Sequence, residues 1–205
     1  MKVTMLLSGG LDSTTLLANL TAGGMEVVCL SFDYGQTHRR ELDAAAHFAG
    51  FYNAPHAIVR LPGIFSGSAL THDCEMPAGH YTDESMRATV VPNRNMVMLA
   101  IATSVAIQNG SGAVAYAAHA DDRGVYPDCR PPFIAAMREA MSLCDWSHLT
   151  LLAPFAEWSK RDIYKEALRL GVDVDATWSC YAGGIAPCGV CGACSARSEA
   201  MKETK

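Results

Sequence analysis

Two stretches of this 205-residue chain hold residues whose types and spacing could do chemistry. The first is LLSGGLDSTT, from Leu6 to Thr15. Gly9 and Gly10 permit a tight turn and let the backbone approach a ligand without a Cβ in the way. Ser8, Ser13, Thr14 and Thr15 offer hydroxyls, and Asp12 could hold a Mg²⁺ that accompanies phosphates. A helix starting near Ser13 would present free N–H groups, which suit an anion. The stretch has no lysine, so it is not a Walker A loop, and it is not G-x-G-x-x-G either. A helix capped by Asp12 or Ser13 after a turn is the plain alternative. The full S-G-G-x-D-S-T-T string, placed between an apolar strand and a helix, favours phosphate.

The second stretch is the tail, Cys180-x7-Cys188-x2-Cys191-x2-Cys194. Thiolates two residues apart can close around one ion, and Gly189 and Gly192 allow the tight turns of such knuckles. Four sulfurs satisfy tetrahedral Zn²⁺ and leave no open position, so the expected role is structural. A [4Fe–4S] cluster is the rival, although the C-x3-C-P ending of the bacterial ferredoxin run is absent. Two disulfides come third.

The elements that must position these groups read as an alternation. Strands are expected at Val3–Leu7, Glu26–Phe32, His56–Arg60, Ala113–Ala117 and Leu149–Ala153. Helices are expected at Ser13–Ala22, Arg39–Ala49, from Pro92-Asn93 through RNMVMLAIATSVAIQ, Pro131–Leu143 and Ser159–Leu170. The third of these is apolar nearly all round and is expected to be buried, with Met96, Val97 and Met98 in the core. Residues from Leu61 to about Met86 carry Pro, Gly, Ser, His and Asp with little periodicity and read as an insertion or loop. Strand–helix alternation argues for an α/β fold, a parallel sheet with helices on both faces, with ligands bound beyond the carboxyl ends of the strands. The expected division is a nucleotide-binding domain over 1–174 and a Cys-rich module over 175–205.

Half of the residues are hydrophobic, enough for a sizeable core. The net charge of -5 does not indicate a broad nucleic-acid face. No stretch approaches the ~18 apolar residues of a membrane span, and the N-terminal apolar run, short and without a small-residue cleavage site, is not expected to act as a signal peptide. The eight cysteines are then expected to be reduced thiols in a cytoplasmic protein.

The S-G-G-x-D-S-T-T string resembles the PP-loop of the N-type ATP pyrophosphatases. The series "FDYGQTHRRELDAA" (Phe32–Ala45), "VPNRNMVML" (Val91–Leu99), "VYPDCRPPFI" (Val125–Ile134), "APFAEWSKRDI" (Ala153–Ile163) and "TWSCY…PCGVCGACSAR" (Thr177–Arg197) is similar, nearly end to end, to the 7-cyano-7-deazaguanine synthases, the QueC family. The resemblance implies a Rossmann-like, adenine nucleotide alpha hydrolase-like fold with a small C-terminal zinc module. It implies a ligase that turns 7-carboxy-7-deazaguanine, ammonia and ATP into the nitrile preQ0, a precursor of queuosine. The acid is adenylated and becomes an amide, and the amide oxygen is then activated and lost. Mg²⁺ as an ATP companion, Zn²⁺ in the tail, a homodimer and no direct nucleic-acid contact follow from the same likeness. Other readings stay in view: a PP-loop tRNA sulfurtransferase, a modifier of a protein terminus, or, different in kind, a non-catalytic nucleotide-binding zinc protein.

On this reading ATP lies along Leu7, Ser8, Gly9, Gly10, Leu11, Asp12, Ser13, Thr14, Thr15, Leu16 and Leu17. Asp12, Arg94 and Lys160 are the expected catalytic groups. Arg94 and Lys160 sit in first helical turns, where a cation opposes the helix dipole by roughly 0.3–1 kcal/mol; holding a substrate carboxylate, phosphates or departing pyrophosphate would explain them, whereas Arg161 is expected to reach water. Gln36, Arg94, Asp128 and Arg130 are expected to bind substrate, with Asp128 accepting from the N–H edge of a guanine-like ring. His119, Asp121 and Asp122 are placed for Mg²⁺ or ammonia. Cys129 is expected to pack as a pocket wall. Cys180, Cys188, Cys191 and Cys194 are the metal ligands. Where the family usually has Val-Pro-Gly-Arg-Asn, Asn93 replaces the glycine; asparagine tolerates left-handed backbone and caps helices.

Overall fold

The computed structural model describes residues 1–61, 63–71 and 88–202. The central part of the expected 61–86 loop lies outside these. Five parallel strands form the sheet: β1 (Lys2–Leu6), β2 (Glu26–Asp33), β3 (His56–Arg60), β4 (Ala113–Ala115) and β5 (Thr150–Leu152). Their order is β3-β2-β1-β4-β5. The chain runs outward from β1 in one direction, then returns to place β4 on the other side of β1. Between β1 and β4 the order reverses, and there a crevice opens at the carboxyl ends of the strands.

Among the described residues, six helices cover the sheet: α1 (Leu11–Ala22), α2 (Arg40–Phe51), α3 (Arg94–Gln108), α4 (Pro131–Ser142), α5 (Lys160–Arg169) and α6 (Gly192–Lys202). The period-2 alternation of the strands divides the core in two. Val3, Met5, Leu7, Val27, Cys29, Ala113 and Ala115 face one side, where they meet α1, α2, α5 and Ala200 of α6. Leu30, Phe32, Val114 and Leu151 face the other, against Leu99 and Ala102 of α3 and Ile134, Met137 and Met141 of α4. No helix among the described residues is long and apolar enough to cross a membrane.

Several local details differ from the expectation. Helix α1 begins at Leu11, and Gly10 is its N-cap, with no side-chain hydrogen bond. Asp12 and Ser13 therefore lie inside the first turn and do not cap it. Helix α3 buries Met98, Leu99, Ala102, Thr103 and Ala106 only. Met96 is 48% exposed, and Val97, Ile101 and Val105 are half-buried. The helix packs on one face of the sheet, so an apolar sequence all round does not become burial all round. Asn93 takes the expected left-handed conformation, φ +61, at the N-cap of α3, but its side chain makes no capping bond. In α5 the capping is complete: Asp162 N–H donates to Ser159 Oγ, and Asp162 Oδ2 accepts from Ser159 N–H. Such a cap contributes about 1 kcal/mol, and it fixes the turn that carries Lys160.

Gly9 has φ +78, and a Cβ there would lie 2.4 Å from Glu41 O and 2.5 Å from Ala45 N. Only glycine lets α2 close on this loop. Gly9→Ala is expected to lower the stability measured by urea unfolding by roughly 1–3 kcal/mol; an unchanged midpoint would mean that the contact with α2 is not a constraint.

Candidate active site

A cavity of about 870 Å³ occupies the crevice, near the upper end of the range for small-molecule sites. Its floor is Leu6–Ser8 after β1 and Tyr116–His119 after β4. The remaining walls come from Phe32, Tyr34, Gln36 and Glu41, from Arg94, Asn95 and Met98 of α3, from Ser159–Arg161, and from Trp178–Tyr181 of the tail.

The first loop is closed by its own hydroxyls. Ser8 Oγ and Ser13 Oγ lie 3.0 Å apart, Ser8 N–H donates to Ser13 Oγ at 3.1 Å, and Ser13 Oγ donates to Gly10 O at 3.3 Å. Because no side chain caps α1, its first-turn amides are left for a ligand, and the helix dipole favours an anion there. Of the segment expected to bind ATP, Leu7, Ser8, Gly10, Asp12 and Ser13 line the cavity. Gly9 turns against α2, and Leu11, Thr14, Thr15, Leu16 and Leu17 are buried beneath the loop. Thr15 Oγ1 donates to Leu11 O at 2.7 Å, a bond within the helix.

Asp12 and Lys160 meet across the cavity, with Lys160 Nζ 2.5 Å from Asp12 Oδ2. His119 Nε2 stands 3.8 Å from the same oxygen and 3.2 Å from Asp122 Oδ2. Burial opposes the Asp12 charge, but Lys160 and then His119 hold its carboxyl below the usual range. Asp12 Oδ1 is buried with no hydrogen-bond partner. An orphaned carboxylate oxygen beside a phosphate-type loop fits a hard divalent cation.

At the other end of the cavity Arg94 donates to Tyr34 Oη at 3.2 Å and lies over its ring, 5.6 Å from the centroid. Burial works against its charge, but Tyr34, Tyr181 and Glu41 outweigh burial, so the guanidinium stays charged. Glu41, pushed up to about 7 by burial, was not singled out from the sequence. Neither were Tyr34 and Tyr181. The available signal was position: Tyr34 follows the end of β2, and Tyr181 is the neighbour of a metal-type cysteine.

Gln36 lines the cavity, yet its amide is committed to the loop: Oε1 accepts from Tyr34 N–H at 2.8 Å, and Nε2 donates to Phe32 O and Glu41 Oε1. The structure does not bring Asp128 and Arg130 to the cavity wall. Arg130 is exposed and turns back to the carbonyls of Arg123 and Gly124. The 3₁₀ turn Pro127–Cys129 instead presents Cys129. Burial, with Asp122 and Asp128 nearby, pushes its thiol up, away from a ready nucleophile.

The four tail cysteines converge, with all their sulfurs within 4.8 Å of one another. A tetrahedron of Zn–S bonds of about 2.3 Å needs sulfurs about 3.8 Å apart, so the set fits one ion. Backbone N–H groups of Cys188 and Cys191 point at the sulfurs of Cys180 and Cys188, each at 3.3 Å. Burial resists ionisation of Cys188, but the N–H groups of Val190 and Cys191 prevail and bring it to about 7.

The tail is also part of the cavity. Trp178 N–H donates to Gly9 O at 2.9 Å, Arg40 lies over the Trp178 ring at 5.0 Å, and Arg197 holds Thr177 O at 3.0 Å.

A family model described as "Queuosine biosynthesis protein QueC" matches residues 2–205. The chain belongs to the QueC family. Among its relatives in that family, the 7-cyano-7-deazaguanine synthase of Methanoregula boonei is 50% identical over 99% of this chain and 95% of its own length. The synthases of Marinobacter nauticus and Caldicellulosiruptor saccharolyticus are 45% and 47% identical over 97% and 99% of this chain and 91% and 92% of their own. Solved structures share the fold at low identity. A predicted subunit of a tRNA methyltransferase from Methanocaldococcus jannaschii has a TM-score of 0.54 at 15% identity, over 82% of this chain and 74% of that one. The NMN synthetase of Francisella tularensis has 0.52 at 12%, over 85% and 63%.

The QueC cysteine cluster yields a direct test. Cys191→Ser is expected to abolish bound metal in elemental analysis and to lower Tm by several degrees. Affinity for an ATP analogue should fall about fivefold, the equivalent of one hydrogen bond of about 1 kcal/mol, as Trp178 releases Gly9. Metal loss with Tm and affinity both unchanged would separate the tail from the loop.

Proposed function

We propose that this chain is a 7-cyano-7-deazaguanine synthase that converts 7-carboxy-7-deazaguanine and ammonia into the nitrile, using ATP twice. One observation carries the reading: a single cavity joins the open first turn of α1, the Asp12–Lys160 pair and the half-buried cation Arg94. The near full-length likeness to synthases of that name supports the same substrate.

The amides at the head of α1 and the Ser8 and Ser13 hydroxyls bind the triphosphate. Lys160 shifts from Asp12 to the phosphate oxygens and stabilises the pyrophosphate that leaves. Asp12 Oδ1 would hold Mg²⁺, which supplies further neutralisation of phosphate charge. Arg94 anchors the substrate carboxylate and orients an oxygen toward the α-phosphate. Attack there breaks the α–β phosphoanhydride and leaves an acyl adenylate. Ammonia displaces AMP to give the amide, and a second ATP activates the amide oxygen for loss. Cys180, Cys188, Cys191 and Cys194 would hold Zn²⁺, which would supply rigidity to the tail and no chemistry.

A cytoplasmic homodimer that acts on the free base, without nucleic-acid or membrane contact, belongs to the same proposal. The assay is purified protein with the acid, ammonium and Mg-ATP, followed for AMP, pyrophosphate and the nitrile. The expected yield is about two AMP per nitrile, with little ADP. Amide as the sole product, sulfur transfer to tRNA, or nucleotide binding without turnover would contradict the reading.

A further inference from the structure

Glu41 has no part in the chemistry so far. Its main chain abuts the phosphate-type loop, since a Cβ on Gly9 would meet Glu41 O at 2.4 Å. Its side chain lines the cavity. Gln36 Nε2 donates to Oε1 at 3.0 Å, and Gln36 is itself fixed by Tyr34 N–H and Phe32 O. No hydrogen bond to Glu41 Oε2 is present among the described residues, so that oxygen is left to the cavity. Arg94 of α3 and Tyr34 of the β2–α2 loop are the charged and titratable groups facing it. Tyr126, Tyr181, His38 and Asp12 line the same cavity farther round.

The proposed reaction releases protons from nitrogen inside this enclosure. Ammonia becoming an amide sheds one N–H, and the amide becoming a nitrile sheds two, one as its oxygen is adenylated and one as AMP leaves. A base must be within reach of that nitrogen. Asp12 is tied to Lys160, with its carboxyl held low. Cys129 and the tyrosines Tyr34 and Tyr181 are raised by burial and keep their protons. His119 stands at the other end of the cavity, with Nε2 beside Asp12 Oδ2 and Asp122 Oδ2. Glu41 remains. Burial brings its carboxyl up to about 7, with Arg94 and then Gln36 acting in the opposite sense, so it exchanges a proton near neutrality.

We infer that Glu41 is the proton acceptor for the reacting nitrogen of the substrate, beside Arg94 and next to the loop that binds ATP. The inference rests on the proposed function. In the first transfer the ammonia lone pair forms the C–N bond, the C–O bond to AMP breaks with its electrons on AMP, and Glu41 takes the N–H proton. In the second, the amide oxygen attacks the α-phosphate of ATP, pyrophosphate leaves and the nitrogen gives its first proton to water; the remaining N–H electron pair then becomes the third C–N bond, the adenylated oxygen departs as AMP, and Glu41 takes that last proton. Each proton passes to water as product leaves.

The test starts from the amide and Mg-ATP, so that ammonium ionisation plays no part. For the wild type, kcat is expected to fall as pH drops through about 7, because the base must be ionised. Glu41→Gln should lower kcat about 100-fold or more, lose that limb, and keep KM for the amide within about threefold. Its affinity for a fluorescent ATP analogue should match the wild type, which shows that the fold and loop persist. Glu41→Asp should restore part of the rate together with the limb, and it decides the matter if the glutamine variant does not fold. A Glu41→Gln protein with raised KM and an unchanged kcat and pH profile would make Glu41 a reader of the substrate edge and overturn the inference. Wild-type protein inert toward both acid and amide would overturn the functional reading, and the inference with it.

Discussion

One backbone joint, Gly9, holds the site together. Its left-handed φ turns the chain from β1 toward α1, the α2 backbone closes on it where a Cβ would stand, and its carbonyl is held by Trp178 of the tail. Three distant parts of the sequence therefore meet at an atom that has no side chain. Burial of a sheet's polar ends is costly unless each group finds a partner. Here the partners are drawn from the elements that wall the cavity. The phosphate-type loop is rigid because it is clamped from both sides, and rigidity at such a loop is what allows amides to be aimed before a ligand arrives.

Charge is divided between the two ends of the cavity. Asp12, Lys160, His119 and Asp122 cluster where α1 and α5 begin. Arg94, Tyr34 and Glu41 cluster between α3 and the turn after β2. Each end carries a cation held in a helical first turn against the dipole. That placement is unfavourable for the helix alone and is offset by a carboxylate or a phenol. A phosphate and a carboxylate can each take up one of these cations, so both pairings are exchangeable. The tail closes the third wall, and its four convergent thiols would fill a tetrahedral ion's coordination with no open position, which suits a structural role.

Much of this was legible in residue types. All five strands, the alternation of helices, the phosphate-type loop and the four-cysteine knuckle follow from periodicity, glycine placement and spacing, and the structure brings Asp12, Arg94 and Lys160 into one cavity. Side-chain direction was not legible. Asp128 and Arg130 sit in the expected turn, but a 3₁₀ conformation aims Cys129 inward and leaves Arg130 on the surface. Met96 looked like core because sequence shows what a helix offers, not which sides have neighbours. Glu41 looked like an ordinary acidic residue in a helical first turn. Only the convergence of α2, α3 and the Gln36 loop makes it a half-buried carboxylate beside Arg94. The joining of the tail to Gly9 through Trp178 is likewise a fact of three dimensions.

The central claim is that amides freed by Gly9 and Gly10 grip a triphosphate so that AMP can be passed to an acid. A crystal structure with a non-hydrolysable ATP analogue tests it most directly. The account predicts phosphate oxygens against the backbone N–H groups of Gly10 to Ser13, with Lys160 moved from Asp12 onto them. Phosphates bound elsewhere, with the Asp12–Lys160 pair intact, would contradict it.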